Sequence, residues 1–229
     1  MNEVLEVFQR IADNREWNSA ETVSGPGSEV ANTQPLRDQL PEVLNEAAGA
    51  YLLKSSRRSA APVLLDLGCG DCNWISTLDL SGWKYIGVDA VQIKSRRKVN
   101  ATITQYPVAD FTDNDFKLPV ADVVLLRNVL QHLPIALNDL LINKVLKMKP
   151  QYFMVTSFPN EPNTDDIEIG GFRYNYVDVD VVEAAGYKLD RVIDEVNDFS
   201  KQVLYVFKRN AVITAASKSK EGAVADITD

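Results

Sequence analysis

Histidine is nearly missing from this chain: 229 residues hold one, His132, and only two cysteines, Cys69 and Cys72. Two thiols cannot form the disulfide framework that staples small secreted domains. With one distant histidine they offer three soft ligands at most, so no metal site is expected. The Cys-x-x-Cys spacing is that of a redox motif, but its flanking residues fit another role better. Positive charge is also scarce, with 24 basic residues against 32 acidic ones and a net charge of -8. Non-specific binding to a phosphate backbone needs a basic face, so nucleic acid is not the expected partner. Apolar runs long enough to cross a membrane are lacking. The opening Met1-Asn2-Glu3-Val4-Leu5-Glu6 carries acids where a signal peptide carries positive charge. A soluble cytoplasmic protein is the expectation.

What is present suits one globular domain, with 45% hydrophobic and 24% charged residues. Residues 2–12 place Val4, Phe8 and Ile11 at helical spacing. Residues 18–32 read as a loop rich in turn formers. Thr33 can cap a helix to about Lys54, with Pro35 in its first turn and Leu36, Leu40, Val43, Leu44 and Ala47 as its apolar stripe. From Pro62 the texture changes to short apolar runs at 63–67, 84–88, 103–108, 121–126 and 152–157. Helical patterns near 73–80, 91–99, 128–146 and 176–185 separate them. Runs without alternation imply burial on both faces, hence a parallel sheet. Strand–helix alternation implies a doubly wound, Rossmann-like α/β domain. Residues 187–196 and 202–208, parted by Asn197-Asp198-Phe199-Ser200, predict an antiparallel hairpin at the sheet edge, giving seven strands. The expected organisation is N-terminal helices with a lid-like loop (1–61), a ligand-binding domain (62–210) and a disordered tail (211–229).

The chemistry concentrates in Asp66-Leu67-Gly68-Cys69-Gly70-Asp71, which leaves a buried strand. Glycines there let the backbone approach a ligand closely. A dinucleotide fingerprint needs a third glycine, but Asn73 occupies that position. Asp66 beside the loop suits a cationic ligand better than a diphosphate. Asp89, at the end of the second strand, can hold ribose hydroxyls. Asp110 after the third can accept from an adenine amino group. Each acid alone reads equally well as a cap or turn residue, but three at one sheet edge do not.

The stretches D-L-G-C-G-D, Y-I-G-V-D and V-A-D-F resemble the cofactor motifs of class I S-adenosylmethionine-dependent methyltransferases over roughly residues 62–209. Cys72 departs from the glycine common there. The resemblance implies S-adenosylmethionine as cofactor, held by Asp66, Asp89, Asp110 and Phe111 and by the backbone of Gly68, Cys69 and Gly70. It places Arg127, Asn128 and His132 beside the methyl group. His132 is the candidate base, since a neutral imidazole can take a hydroxyl proton. The bland reading is a structural histidine. Arg127 is either a ligand contact or one half of an ion pair. S-G-P-G-S, T-S-F-P-N and G-G-F-R further resemble a small glycan-associated subgroup. This implies a sugar hydroxyl as acceptor, with Phe158, Arg173 and Tyr174 near the substrate. Asp165, Asp166 and Glu168 read as solvated loop charge. No Pro-Pro amino-methylating signature and no Pro-Cys nucleophile is present. Another small-molecule methyltransferase, a nucleic-acid methyltransferase, an NAD-dependent oxidoreductase and a non-catalytic nucleotide-binding module remain as alternatives. The oligomeric state is left open.

Overall fold

Strand β1 (Val63–Leu67) lies at the centre of a seven-stranded sheet, paired in parallel with β2 (Asp79–Val88) and β4 (Val123–Leu126). The computed structural model describes residues 2–54, 61–161, 165–195 and 201–210. Strands β3 (Asn100–Gln105) and β5 (Tyr152–Ser157) extend the parallel part on either side. Strands β6 (Tyr187–Asp194) and β7 (Val203–Arg209) are antiparallel to each other, and β7 runs antiparallel to β5. The order is β3-β2-β1-β4-β5-β7-β6.

Alternate side chains of each strand serve opposite faces. Leu64, Val123 and Leu125 meet Leu36, Leu40, Val43 and Leu44 of α2 (Gln34–Lys54). Leu65, Leu67, Val124 and Leu126 meet Leu141 and Val145 of α3 (Ile135–Met148). Burial on both faces is why the strands read as unbroken apolar runs. Helix α2 therefore belongs to the core of the sheet domain. Helix α1 (Glu3–Asp13), capped by the Asn2 side chain, lies over the carboxyl edge of the sheet with its apolar stripe turned to the site described below.

Three expected helices are shortened or replaced. Residues 73–80 form one 3-10 turn, Ile75–Thr77, and then enter β2. The Ser76 and Thr77 hydroxyls donate to the carbonyls of Asn73 and Trp74 at 2.9 and 2.6 Å, competing with helix propagation. Residues 91–99 form a loop held from outside: the Arg96 side chain donates to the Gly70 carbonyl and the Arg97 amide to that of Asp71. Residues 128–146 divide at Pro134. Only a 3-10 turn, Leu130–His132, precedes α3, because the residue before proline is forced out of the helical region. Helix α4 spans Val179–Ala184, capped by Asp178. The strands expected at 84–88 and 103–108 are β2, which starts earlier, and β3, which is shifted towards the N-terminus. The tail at 211–229 and the turn Asn197-Asp198-Phe199-Ser200 lie outside the described residues. Among the described residues no helix is long and apolar enough to cross a membrane.

Candidate active site

The carboxyl ends of β1, β2 and β4 open into a cavity of about 720 Å³, within the roughly 300–1,000 Å³ range of small-molecule sites. Its polar end is built by the β1 loop. Gly68 (φ 79°) and Gly70 (φ 54°) adopt left-handed conformations. A methyl group at Gly68 would collide with Val129, and one at Gly70 with the Ser24 hydroxyl. Asp89 ends β2 and accepts from the Gly70 amide at 2.7 Å and the Val91 amide at 2.9 Å. Burial pushes its carboxyl up, while these amides pull it down. Asp89 also lines the cavity, where its carboxylate can accept from a ligand hydroxyl. Asp110 lines the same end and accepts from Asn2 at 2.9 Å and from the Thr112 amide and hydroxyl at 2.9 and 2.5 Å. Val91, Ile93 and Phe111 supply an apolar wall beside it.

The opposite end is aromatic. His132 lies half-buried where the Leu130–His132 turn ends, with Trp17 tilted by 32° against it at 5.0 Å between ring centroids and Phe172 edge-on at 6.0 Å. Its Nδ1 is 2.8 Å from the Gly171 carbonyl. A carbonyl only accepts, so Nδ1 carries the proton and Nε2 keeps its lone pair. Burial holds His132 below the usual imidazole range, partly offset by that bond to Gly171. Phe158, Phe172 and Tyr174 form a cluster of edge-on rings along the same wall.

The N-terminal segment roofs both ends. Val4, Phe8 and Ala12 of α1, then Trp17 and residues 23–28, complete the lining. Several attachments hold this roof down, among them the Asn73 side chain, which donates to the Ser28 carbonyl at 2.9 Å, and the Val23 amide, which donates to Asp71 at 3.3 Å. Thr22 donates its hydroxyl to Asp71 at 2.7 Å. Arg127 donates to the Gly27 carbonyl at 2.8 Å. Gly170 leaves room for Val7 and Ile11, whose methyls a Cβ there would strike. Arg127 is itself buried, paired with Glu195 at 2.5 Å and lying 5.3 Å from the Trp74 ring centre. Of the two readings of Arg127, the ion pair is thus formed, although the residue also touches the cavity.

Most of the expected site residues converge. Gly68, Gly70, Asp89, Asp110, Phe111, Arg127, Asn128, His132, Phe158 and Tyr174 all line the cavity. Asn128 does so in a left-handed conformation (φ 55°), its amide bonded to the Thr156 hydroxyl at 3.1 Å. Asp66 and Cys69 lie behind the loop and line a small cleft instead. Asp66 accepts from the Tyr85 hydroxyl at 2.6 Å, and burial pushes its carboxyl up to about 7. Cys69 is a free thiol packed against Gly87, as is Cys72 against Tyr85. Arg173 is also placed elsewhere: it lies buried, donates to Asn175 at 3.2 Å and does not line the cavity. Asp166 caps α3 through the Ile135 amide at 2.8 Å, while Asp165 and Glu168 are exposed. Phe8, Trp17 and Gln131 are lining residues that the sequence pattern did not assign to the site. One signal was available: the Val4, Phe8 and Ile11 stripe needs a surface to cover.

A sequence-family model described as a methyltransferase domain matches residues 34–188. Among solved structures, magnesium protoporphyrin IX methyltransferase from Synechocystis PCC 6803 with bound S-adenosylhomocysteine is similar over 90% of this chain and 98% of its own. The TM-score is 0.61 and the identity 15%. The same protein with bound S-adenosylmethionine has TM-score 0.55, 14% identity and coverages of 90% and 95%. The methyltransferase domain of bacterial-CtHen1-C has TM-score 0.53, 18% identity and coverages of 79% and 100%. At these identities the likeness is one of fold. Comparison with curated protein sequences gives no match.

Proposed function

The chain belongs to the methyltransferase-domain family, and from that premise we propose that it methylates a hydroxyl of a small-molecule acceptor, with a sugar or glycan hydroxyl as the first class to test. S-adenosylmethionine is the cofactor, and when bound it supplies an electrophilic methyl group. The donor set fits it. Asp89 and Asp110 offer carboxylates at the polar end, with Val91, Ile93 and Phe111 as an apolar face for a base. A dinucleotide fits less well. Its pyrophosphate needs a helix N-terminus after the glycine loop, and the chain forms only the short Ile75–Thr77 turn there. The two cations lining the cavity, Arg127 and Lys201, are each paired with a glutamate.

The observation that carries the hydroxyl reading is the His132 tautomer. Nδ1 keeps its proton and donates it in a hydrogen bond to the Gly171 carbonyl, so the Nε2 lone pair can take the proton that the acceptor oxygen loses as it bonds to carbon. Burial keeps the ring neutral, which is the form a base needs at neutral pH. Trp17 and Phe172 fix the ring plane. Trp17, Phe172 and Tyr174 also give flat apolar faces on which a sugar or another ring can lie. Trp17 and residues 23–28 cover the cavity on one side. Incubation with isotope-labelled S-adenosylmethionine and a panel of methyl glycosides and phenols, followed by product NMR, tests this. An O-methyl product that is lost in His132→Ala while cofactor binding persists is the expected result. Methyl found on nitrogen or carbon overturns it.

A further inference from the structure

Phe172 lines the cavity beside His132 yet keeps 56% of its surface exposed. Its backbone is held in place. The Gly170 amide donates to the His132 carbonyl at 2.9 Å, the Arg173 amide to the Gln131 carbonyl at 3.0 Å, and His132 Nδ1 to the Gly171 carbonyl at 2.8 Å. These bonds fasten residues 170–173 to the turn that carries the base. A single exposed phenylalanine needs no explanation, but this one belongs to an unbroken set of rings. Trp17, His132, Phe172, Phe158 and Tyr174 follow one another at 5.0 to 6.3 Å between centroids, and all five line the cavity. An aromatic wall that is fixed by hydrogen bonds and open on its Phe172 side is a surface for a ligand to cover.

The wall is poor in polar atoms. Its five rings offer only the indole N–H of Trp17, Nε2 of His132 and the Tyr174 hydroxyl. Lys201 and Gln202, which also line the cavity, are bonded to Glu161 and Glu195. A sugar carries a hydroxyl on most of its carbons, and each one buried without a partner costs free energy. An aryl ring has no such demand and gains from edge-on and offset contact with other rings. We infer that the acceptor is an aryl hydroxyl compound, a phenol or a fused-ring analogue, whose ring lies against Phe172 with its oxygen at His132 Nε2. This rests on the hydroxyl-methylating reading above and narrows its glycosides and phenols to phenols. The base agrees with it. Burial holds His132 below the usual imidazole range, which makes it a weak base. A phenol releases its proton at a pKa of about 10, as tyrosine does, whereas an alcohol is closer to water at about 15.7. Phe172 is a specificity residue here, and His132 alone handles the proton.

The test uses full-length protein loaded with S-adenosylhomocysteine and pairs of alcohols that differ in aromaticity. Suitable pairs are phenol with cyclohexanol and 2-naphthol with decahydro-2-naphthol, with a methyl glucoside alongside. Binding is read by calorimetry. In at least one pair the aromatic member should bind about tenfold more tightly than its saturated partner, and more tightly than the glucoside. The preference should fall away in Phe172→Leu, which stays apolar, and survive in Phe172→Tyr, which keeps the ring. Melting temperature confirms that each variant is folded. Equal or absent binding within both pairs overturns the inference, as does tighter binding of the glucoside or a preference that persists in Phe172→Leu. The same compounds are then incubated with S-adenosylmethionine. Aryl preference without methyl on the aryl oxygen would refute the hydroxyl-methylation reading and leave the aryl-binding wall standing. Methyl on the glucoside oxygen without aryl preference would do the reverse.

Discussion

His132 and Asp66 carry opposite shifts for the same physical cause, and each leaves its own mark on pH behaviour. Burial disfavours the charged form of both. For His132 that lowers the pKa. The kcat/KM for methyl transfer should therefore rise with pH through a midpoint below the ordinary imidazole value. His132→Asn should lose that limb and about 10²–10⁴ in rate, a comparison made by rate profiles of the two proteins. For Asp66 burial raises the pKa to about 7, with Tyr85 donating to the carboxyl and Asp89 adding repulsion. Its folded-state pKa lies above the unfolded one, so its share of stability is complete in acid and is lost as pH rises through about 7. Asp66→Asn removes this loss. Between pH 5 and pH 8 the melting temperature of the variant should gain on the native chain by roughly 2–4 °C or more. An unchanged gap would mean that Asp66 stays ionised behind the loop.

The β1 loop works as an element because its glycines admit neighbours from distant parts of the chain. Ser24 of the roof fills the space above Gly70, and Val129 that above Gly68. Gly70→Ala should lift the roof and weaken S-adenosylmethionine binding by at least tenfold, since left-handed strain of order 1–3 kcal/mol adds to the clash. Ser24→Gly in the same chain should restore part of the affinity. Gly82→Ala, with open space around it, serves as the neutral control in the same titration. The strands and this loop were legible in the sequence because burial on both faces leaves continuous apolar runs, and because the strand–glycine–acid order is local. The helices at 73–80 and 91–99 were not legible, since their periodicity yielded to hydroxyls bonding backward and to Arg96 and Arg97 reaching the loop. Likewise, nothing local distinguishes Arg173, which is buried away from the cavity, from Phe172 and Tyr174, which line it.

At the scale of the whole molecule the N-terminal segment does two jobs. Helix α2 belongs to the core, whereas α1, Trp17 and residues 22–28 form a wall of the site, held by side-chain bonds from Asp71, Asn73 and Arg127. That Trp17, itself beside Phe8, meets His132 across more than a hundred residues is a fact of tertiary assembly that no local pattern encodes. Arg127 couples the two parts, with one guanidinium bonding Glu195 beyond β6 and Gly27 in the roof. Arg127→Met leaves Glu195 buried without its cation, a change that typically costs about 3–5 kcal/mol, and it also frees the roof. Adding Glu195→Leu should recover most of the stability, because a buried pair replaced by apolar groups is often neutral, but it cannot restore the bond to Gly27. The double variant should then melt near the native chain yet show faster proteolysis within residues 18–30, altered Trp17 fluorescence and weaker acceptor binding. If its roof is as protease-resistant as the native one, Thr22–Asp71 and the α1 contacts with the Gly170 loop hold it without Arg127, and the ion pair serves the sheet alone.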